Sequence, residues 1–139
     1  MQLEQQVVSL ELAKRLKELG FEQNGVFGYY KKNDEIVVAM NPEIDIWYDG
    51  QDIGELICSA YTVAELGEKL PKRIRFNGKT GKLLKYSQGV HLFFSDDGSR
   101  CYVNYTGGAR MYDNHATLGD TEANARAEML IYLKENNII

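Results

Sequence analysis

The stretch TVAELGEKLP (Thr62–Pro71) leaves this chain the least freedom in how it folds. Thr62 and Glu65 form a T-x-x-E capping box, in which each side chain satisfies a backbone amide at a helix start. Val63, Leu66 and Leu70 fall on one helical face and Pro71 ends the element, so the spacing predicts a helix from about Val63 to Leu70. β-Prone runs stand on both sides of it. A helix fixed mid-chain among such runs constrains the order of elements more than any composition does.

Two further helices are predicted. Ser9 can cap LELAKRLKEL, in which Leu12, Leu16 and Leu19 recur at helical spacing with Ala13 beside them, and Gly20 gives the stop. The last helix starts at a cap on Asp120 or Thr121. Ala123, Ala127, Leu130, Ile131 and Lys134 line one side of it, and Glu122 and Arg126 form an i,i+4 pair.

Between the helices, VFGYY and EIVVAM flank the polar loop KKND as a hairpin would. In NPEIDIWYDGQD, Ile44 and Ile46 alternate with acids as in a half-buried strand, and Asp49-Gly50 signals a turn. GELICSAY reads as another short strand. RIRF, KLLKY, VHLFFS and RCYVNYT are separated by the turn chemistry of NGKTG, SQG and DDGS, which predicts an antiparallel meander of three or four strands. This order lacks the strict βαβ alternation of a parallel sheet. The expected class is α+β: an antiparallel sheet of hairpins with three helices packed on one face, in a single domain over residues 1–139.

A chain of 139 residues can bury a core without disulfides or metal. No apolar run approaches the ~20 residues of a membrane span, and the N-terminus has no basic segment of the kind that opens a signal peptide. Cys58 and Cys101 belong to no C-x-x-C and read as free thiols. These features predict a cytoplasmic protein. Net charge is −4, but the signs are segregated. Residues 33–68 hold nine acids and no base, and residues 69–85 hold seven bases and no acid. The two segments either compensate each other or face different partners.

FNGKTGK (Phe76–Lys82) contains the Gly-Lys-Thr tail of a phosphate-binding loop. That loop requires G-x-x-x-x-G-K-[ST] leading into a helix. The position of its first glycine is Arg73, and the β-prone GKLLKY follows instead of a helix. The stretch therefore reads as a hairpin loop. A five-residue loop, Asn77 to Gly81, pairs Phe76 with Lys82, Ile74 with Leu84 and Lys72 with Tyr86. Ile74, Phe76, Leu84 and Tyr86 then share a face. Arg73, Arg75 and Lys85 take the other, with Lys79 at the tip. Such a basic stripe suits a phosphate backbone or an acidic protein surface; it is also what the solvated side of a half-buried sheet looks like.

The acidic stretch gathers Glu43, Asp45, Asp49 and Asp52 around Trp47 and Tyr48. Its spacing does not match an EF-hand loop, and no metal or other cofactor is expected. An acidic surface meeting a basic partner, with Trp47 and Tyr48 as anchors, is the functional alternative to a core tryptophan. His91 sits in a strand pattern and His115 in a loop near Asp113, but no serine or cysteine is marked as their nucleophile. Gly107, Gly108 and Arg110 with Tyr105 offer a hinge, a planar cation and an aromatic face, which a nucleotide could use. A β-turn or bulge in a tyrosine-rich sheet explains the same residues.

VVSLELAKRLKELGF, SAYTVAELGEKLP and TEANARAEMLIYLKENNII together resemble a group of small proteins of bacteriophages and integrated prophages. The resemblance covers the three helical blocks and carries no site residue over. It implies an origin in mobile DNA and a bacterial cytoplasm. The lack of a catalytic constellation, the segregated charge and this resemblance predict a non-enzymatic accessory protein that binds a host macromolecule. A host or phage protein is the first expectation, nucleic acid the next; no membrane partner is expected, and a homodimer is compatible. A small-ligand or nucleotide-binding module is the alternative.

Overall fold

Ser9, Thr62 and Thr121 each begin a helix by accepting a backbone N–H on their hydroxyl, and these three caps frame the architecture. In the computed structural model the described backbone comprises residues 2–42, 53–77, 83–95, 98–106 and 115–139, with side chains described for 2–42, 53–72 and 119–139. The elements in order are α1 (Leu3–Gln6), α2 (Leu10–Glu18), β1 (Phe27–Lys32), β2 (Glu35–Met40), β3 (Glu55–Ser59) and α3 (Val63–Lys69). They continue with β4 (Arg73–Asn77), β5 (Leu83–Ser95), β6 (Gly98–Thr106), β7 (His115–Gly119) and α4 (Glu122–Glu135). The class is α+β, and every described strand pairing is antiparallel. The strands divide into two sheets, ordered β2-β1-β3 and β4-β5-β6-β7, rather than forming one. The one-turn helix α1 has no counterpart in the predicted pattern.

Helix α2 ends as its glycine predicts. Gly20 has φ +91°, its N–H donates to Lys17 O, and the N–H of Phe21 donates to Leu16 O. That pair of bonds is a Schellman motif, closing the last carbonyls. In α3 the capping box is complete: Thr62 Oγ1 accepts from Glu65 N at 3.2 Å and Thr62 N donates to Glu65 Oε2 at 2.8 Å. The cap of α4 is Thr121, accepting from Asn124 N at 3.1 Å, and not Asp120.

Helix α4 departs from the one-sided face its sequence suggested. Ala123, Ala125, Ala127, Met129, Leu130, Ile131 and Leu133 are all buried, which spreads buried apolar residues over most of its circumference and leaves a stripe through Asn124, Glu128 and Glu135. The cause is its position: α4 contacts β6 and β7 of the four-stranded sheet and also α2 and α3. Lys134, on the same side as Ala123, Ala127, Leu130 and Ile131 by its spacing, is exposed, and its ammonium lies 5.9 Å from the centre of the Phe21 ring. The predicted Glu122–Arg126 pair is present at 2.9 Å. Gly119 ends β7 hard against the start of α4, where a Cβ would come within 2.3 Å of Ala125 N.

The three-stranded sheet joins the core through β1 and β3. Tyr29 and Cys58, directly opposite in register, are both buried, and Tyr29 Oη donates to Val8 O at 2.7 Å. The β1–β2 turn is tighter than the KKND loop predicted: Lys31 and Lys32 belong to β1, and only Asn33 and Asp34 turn, both with positive φ (50° and 66°). Left-handed values at both central residues are what a type I′ hairpin requires. In the second sheet, LLKY and VHLFFS form one thirteen-residue strand, β5, without a turn at SQG. Ser87 explains why, since it pairs with Arg73 on one side and Thr106 on the other. The expected strand at Ile44 and Ile46 lies outside the described residues. Among the described residues, no helix is long and apolar enough to cross a membrane.

Candidate functional site

The basic hairpin is where the predicted site residues come together. β4 and β5 pair Ile74 with Tyr86, Phe76 with Leu84, Arg75 with Lys85 and Arg73 with Ser87. This register is displaced by two residues from the predicted one, which set Ile74 against Leu84. A shift of two preserves the alternation of faces, so positions 74, 76, 84 and 86 remain one set and 73, 75 and 85 the other. What changes is the neighbour relation. Arg75 now stands directly opposite Lys85, with Arg73 two positions along the strand. Like charges directly opposite on an antiparallel pair repel.

Lys79 lies outside the described residues, as do Asp45, Trp47, Tyr48 and Asp49 of the acidic segment and Gly107, Gly108 and Arg110 of the nucleotide alternative. Tyr105 is in β6, opposite Gln88 on one side and His115 on the other. His115 thus opens strand β7 and is not in a loop, while His91 is opposite Tyr102 in β5. Two acids of the acidic stretch have basic residues opposite them, but not those of the basic hairpin. Glu35 is opposite Lys32 and Glu55 is opposite Lys31, all on the three-stranded sheet. Part of that negative charge is therefore answered locally by β1.

The described side chains add features the sequence did not mark. Tyr61 is 1% exposed, and its hydroxyl has no hydrogen-bond partner among the described residues. Burial pushes this phenol up to about 12. The neighbouring Ser59 side chain pulls the other way, and its Oγ accepts from Gly25 N at 3.1 Å. The Lys69 ammonium sits 4.6 Å from the Tyr61 ring centre, a cation–π contact. A phenol so shifted stays protonated at neutral pH and offers no base. The Cys58 thiol is fully buried and pushed up chiefly by that burial, with nearby Lys17 and Lys14 pulling the other way, so it is neutral and sheltered.

Glu65 is the busiest carboxylate. Beyond its cap, it accepts from Val26 N at 2.8 Å, tying the start of β1 to α3. Beside it a crevice of about 230 Å³ is lined by Asn24, Glu65, Glu68 and Lys69. A wider cleft of about 770 Å³ runs along α2 past Lys14 and Arg15 to Glu128 of α4. Burial, then the charge of Glu135, raises the Glu128 carboxyl, and Arg15 is held by Glu18 and Glu135. Neither space joins a nucleophile to a base. Among the described residues no three His, Cys, Asp or Glu side chains are grouped as metal ligands. No family model, no curated protein and no solved structure matches the chain.

Proposed function

We propose that this chain is a non-enzymatic binding protein that engages an acidic surface of another protein through the β4–β5 hairpin. One observation carries the reading: the register sets Arg75 opposite Lys85 with Arg73 beside them. Like charges placed opposite one another weaken a hairpin, and an anionic partner removes the repulsion. The local pairing of Glu35 and Glu55 with Lys32 and Lys31 supports it, because those acids are not the ones that neutralise the basic positions. The likeness of the helical blocks to phage and prophage proteins adds the setting, the cytoplasm of an infected bacterium, with a host protein as target.

The test compares the wild type with the variant Arg73→Glu, Arg75→Glu, Lys85→Glu in two assays. Retention on immobilised polyglutamate should fall with added salt and be lost in the variant, and the proteins recovered from bacterial lysate should change accordingly. Equal retention and equal recovery by both chains would sink the proposal. Stronger retention on duplex DNA than on polyglutamate would instead make nucleic acid the partner.

A further inference from the structure

Strand β2 is an edge of the three-stranded sheet. Among the described residues no strand pairs with its outer side, since the sheet order is β2-β1-β3. Natural edges are blunted by lysine, proline or a bulge. β2 reads EIVVAM, has neither lysine nor proline, and pairs with β1 without a register shift. Ile36, Val37 and Met40 are 43%, 44% and 40% exposed, which is high for large apolar side chains on a paired strand.

The backbone shows which groups face outward. Asn41 N donates to Val26 O at 2.7 Å, and bonded positions alternate along an antiparallel pair. Glu35, Val37 and Ala39 therefore turn their N–H and C=O groups to β1, while Ile36, Val38 and Met40 turn theirs away. An outward row of this kind is what an added strand pairs with.

We propose that two copies of this chain pair β2 with β2 in antiparallel fashion about Val38, joining their three-stranded sheets into one. About that axis the outward groups meet each other at every step. Ile36 stands opposite Met40 of the second copy, Val38 opposite Val38, and Val37 opposite Ala39. The acid at each end, Glu35, meets the neutral Asn41. Sliding by two residues in one direction sets the Asp34 carboxylate against Met40. Sliding in the other sets Ile36 against Pro42, which has no N–H to give. The strand is thus complementary to itself in one register, and a two-fold contact of this kind closes without further growth. A single pair of short strands buries less than a standard stable interface, so association is weak and appears with concentration.

Sedimentation velocity from about 1 to about 500 µM tests this, the range in which weak interfaces form. The wild type should pass from monomer to dimer. Ile36→Lys with Met40→Lys places like charges opposite each other across the axis and should weaken association at least ~10-fold. Ile36→Lys with Met40→Glu carries the same polar load but places opposite charges across the axis, and should dimerise again. This last chain also guards against misfolding, since it changes the same two positions. A wild type that stays monomeric throughout overturns the proposal. So does a double-lysine variant that dimerises as tightly as the wild type, or a charge-paired variant that does not recover.

Discussion

Tyr61 carries the clearest single-residue consequence. Its ring is buried beneath Lys69 while its hydroxyl has no partner among the described residues. An unpartnered buried hydroxyl costs stability that a shape-matched apolar group does not. Tyr61→Phe keeps the ring and the cation–π contact, and should raise stability by up to about 1 kcal/mol. The same substitution tests the phenol's titration. In the unfolded chain a tyrosine ionises near pH 10, whereas the folded Tyr61 waits until about 12. Between these values the unfolded state loses the proton and the folded state keeps it. Stability is therefore full below about pH 10 and falls as pH rises toward about 12. Urea midpoints taken across that window should drop less steeply in Tyr61→Phe. A residual slope remains from Tyr29 and Cys58, both also raised by burial. Equal slopes in the two proteins would clear Tyr61 of the effect. Nothing in SAYT marks this residue, because its isolation depends on what closes over it.

Among the elements, α3 and α4 illustrate opposite degrees of legibility. The capping box of α3 is written in four consecutive residues and is satisfied within them, so Thr62 and Glu65 announced it. The reach of Glu65 to Val26 N was not legible, since it joins positions 39 apart. Glu65→Ala should thus cost more than a cap alone, about 2–3 kcal/mol against about 1 kcal/mol for Thr62→Ala, measured by chemical denaturation. Similar losses in both would mean that the Val26 bond contributes little. For α4, the i,i+4 pair of Glu122 and Arg126 was readable, but not burial over most of its circumference. Leu130→Ala and Met129→Ala should each cost about 2–5 kcal/mol, because both residues are fully buried. If only one of them is costly, the helix has a single packed face after all. The β4–β5 register occupies a middle position: alternation fixed which residues belong together, while the pairing partner shifted by two.

For the molecule as a whole, α4 is the shared wall between the parts. It contacts β6 and β7 on the side of the four-stranded sheet and α2 and α3 on the other, and α2 in turn contacts β3. Two sheets coupled through one buried helix should unfold together. Denaturation followed by far-ultraviolet circular dichroism and by tyrosine absorbance should give coincident curves in the wild type, and Leu130→Ala should displace both equally. Curves that separate would show the sheets to be independent units. The charge pattern belongs to this level too. Lys31 and Lys32 of β1 stand opposite Glu55 and Glu35, two acids of the acidic stretch, within the three-stranded sheet.

Caps, the glycine stop at Gly20, the three main helices and the alternation of the strands were all fixed by residues within a few positions of one another. Hydrogen bonds at a helix end and the two-residue period of a strand are satisfied locally, so local spelling suffices. The division into two sheets, the continuity of β5 through SQG, the burial of α4 and the outward row of β2 were decided only in three dimensions. Each depends on which distant segment supplies the missing partner: Arg73 and Thr106 for Ser87, the β6–β7 strands with α2 and α3 for α4, no described strand for β2. Such choices follow from long-range pairing and burial, which no short stretch of sequence contains.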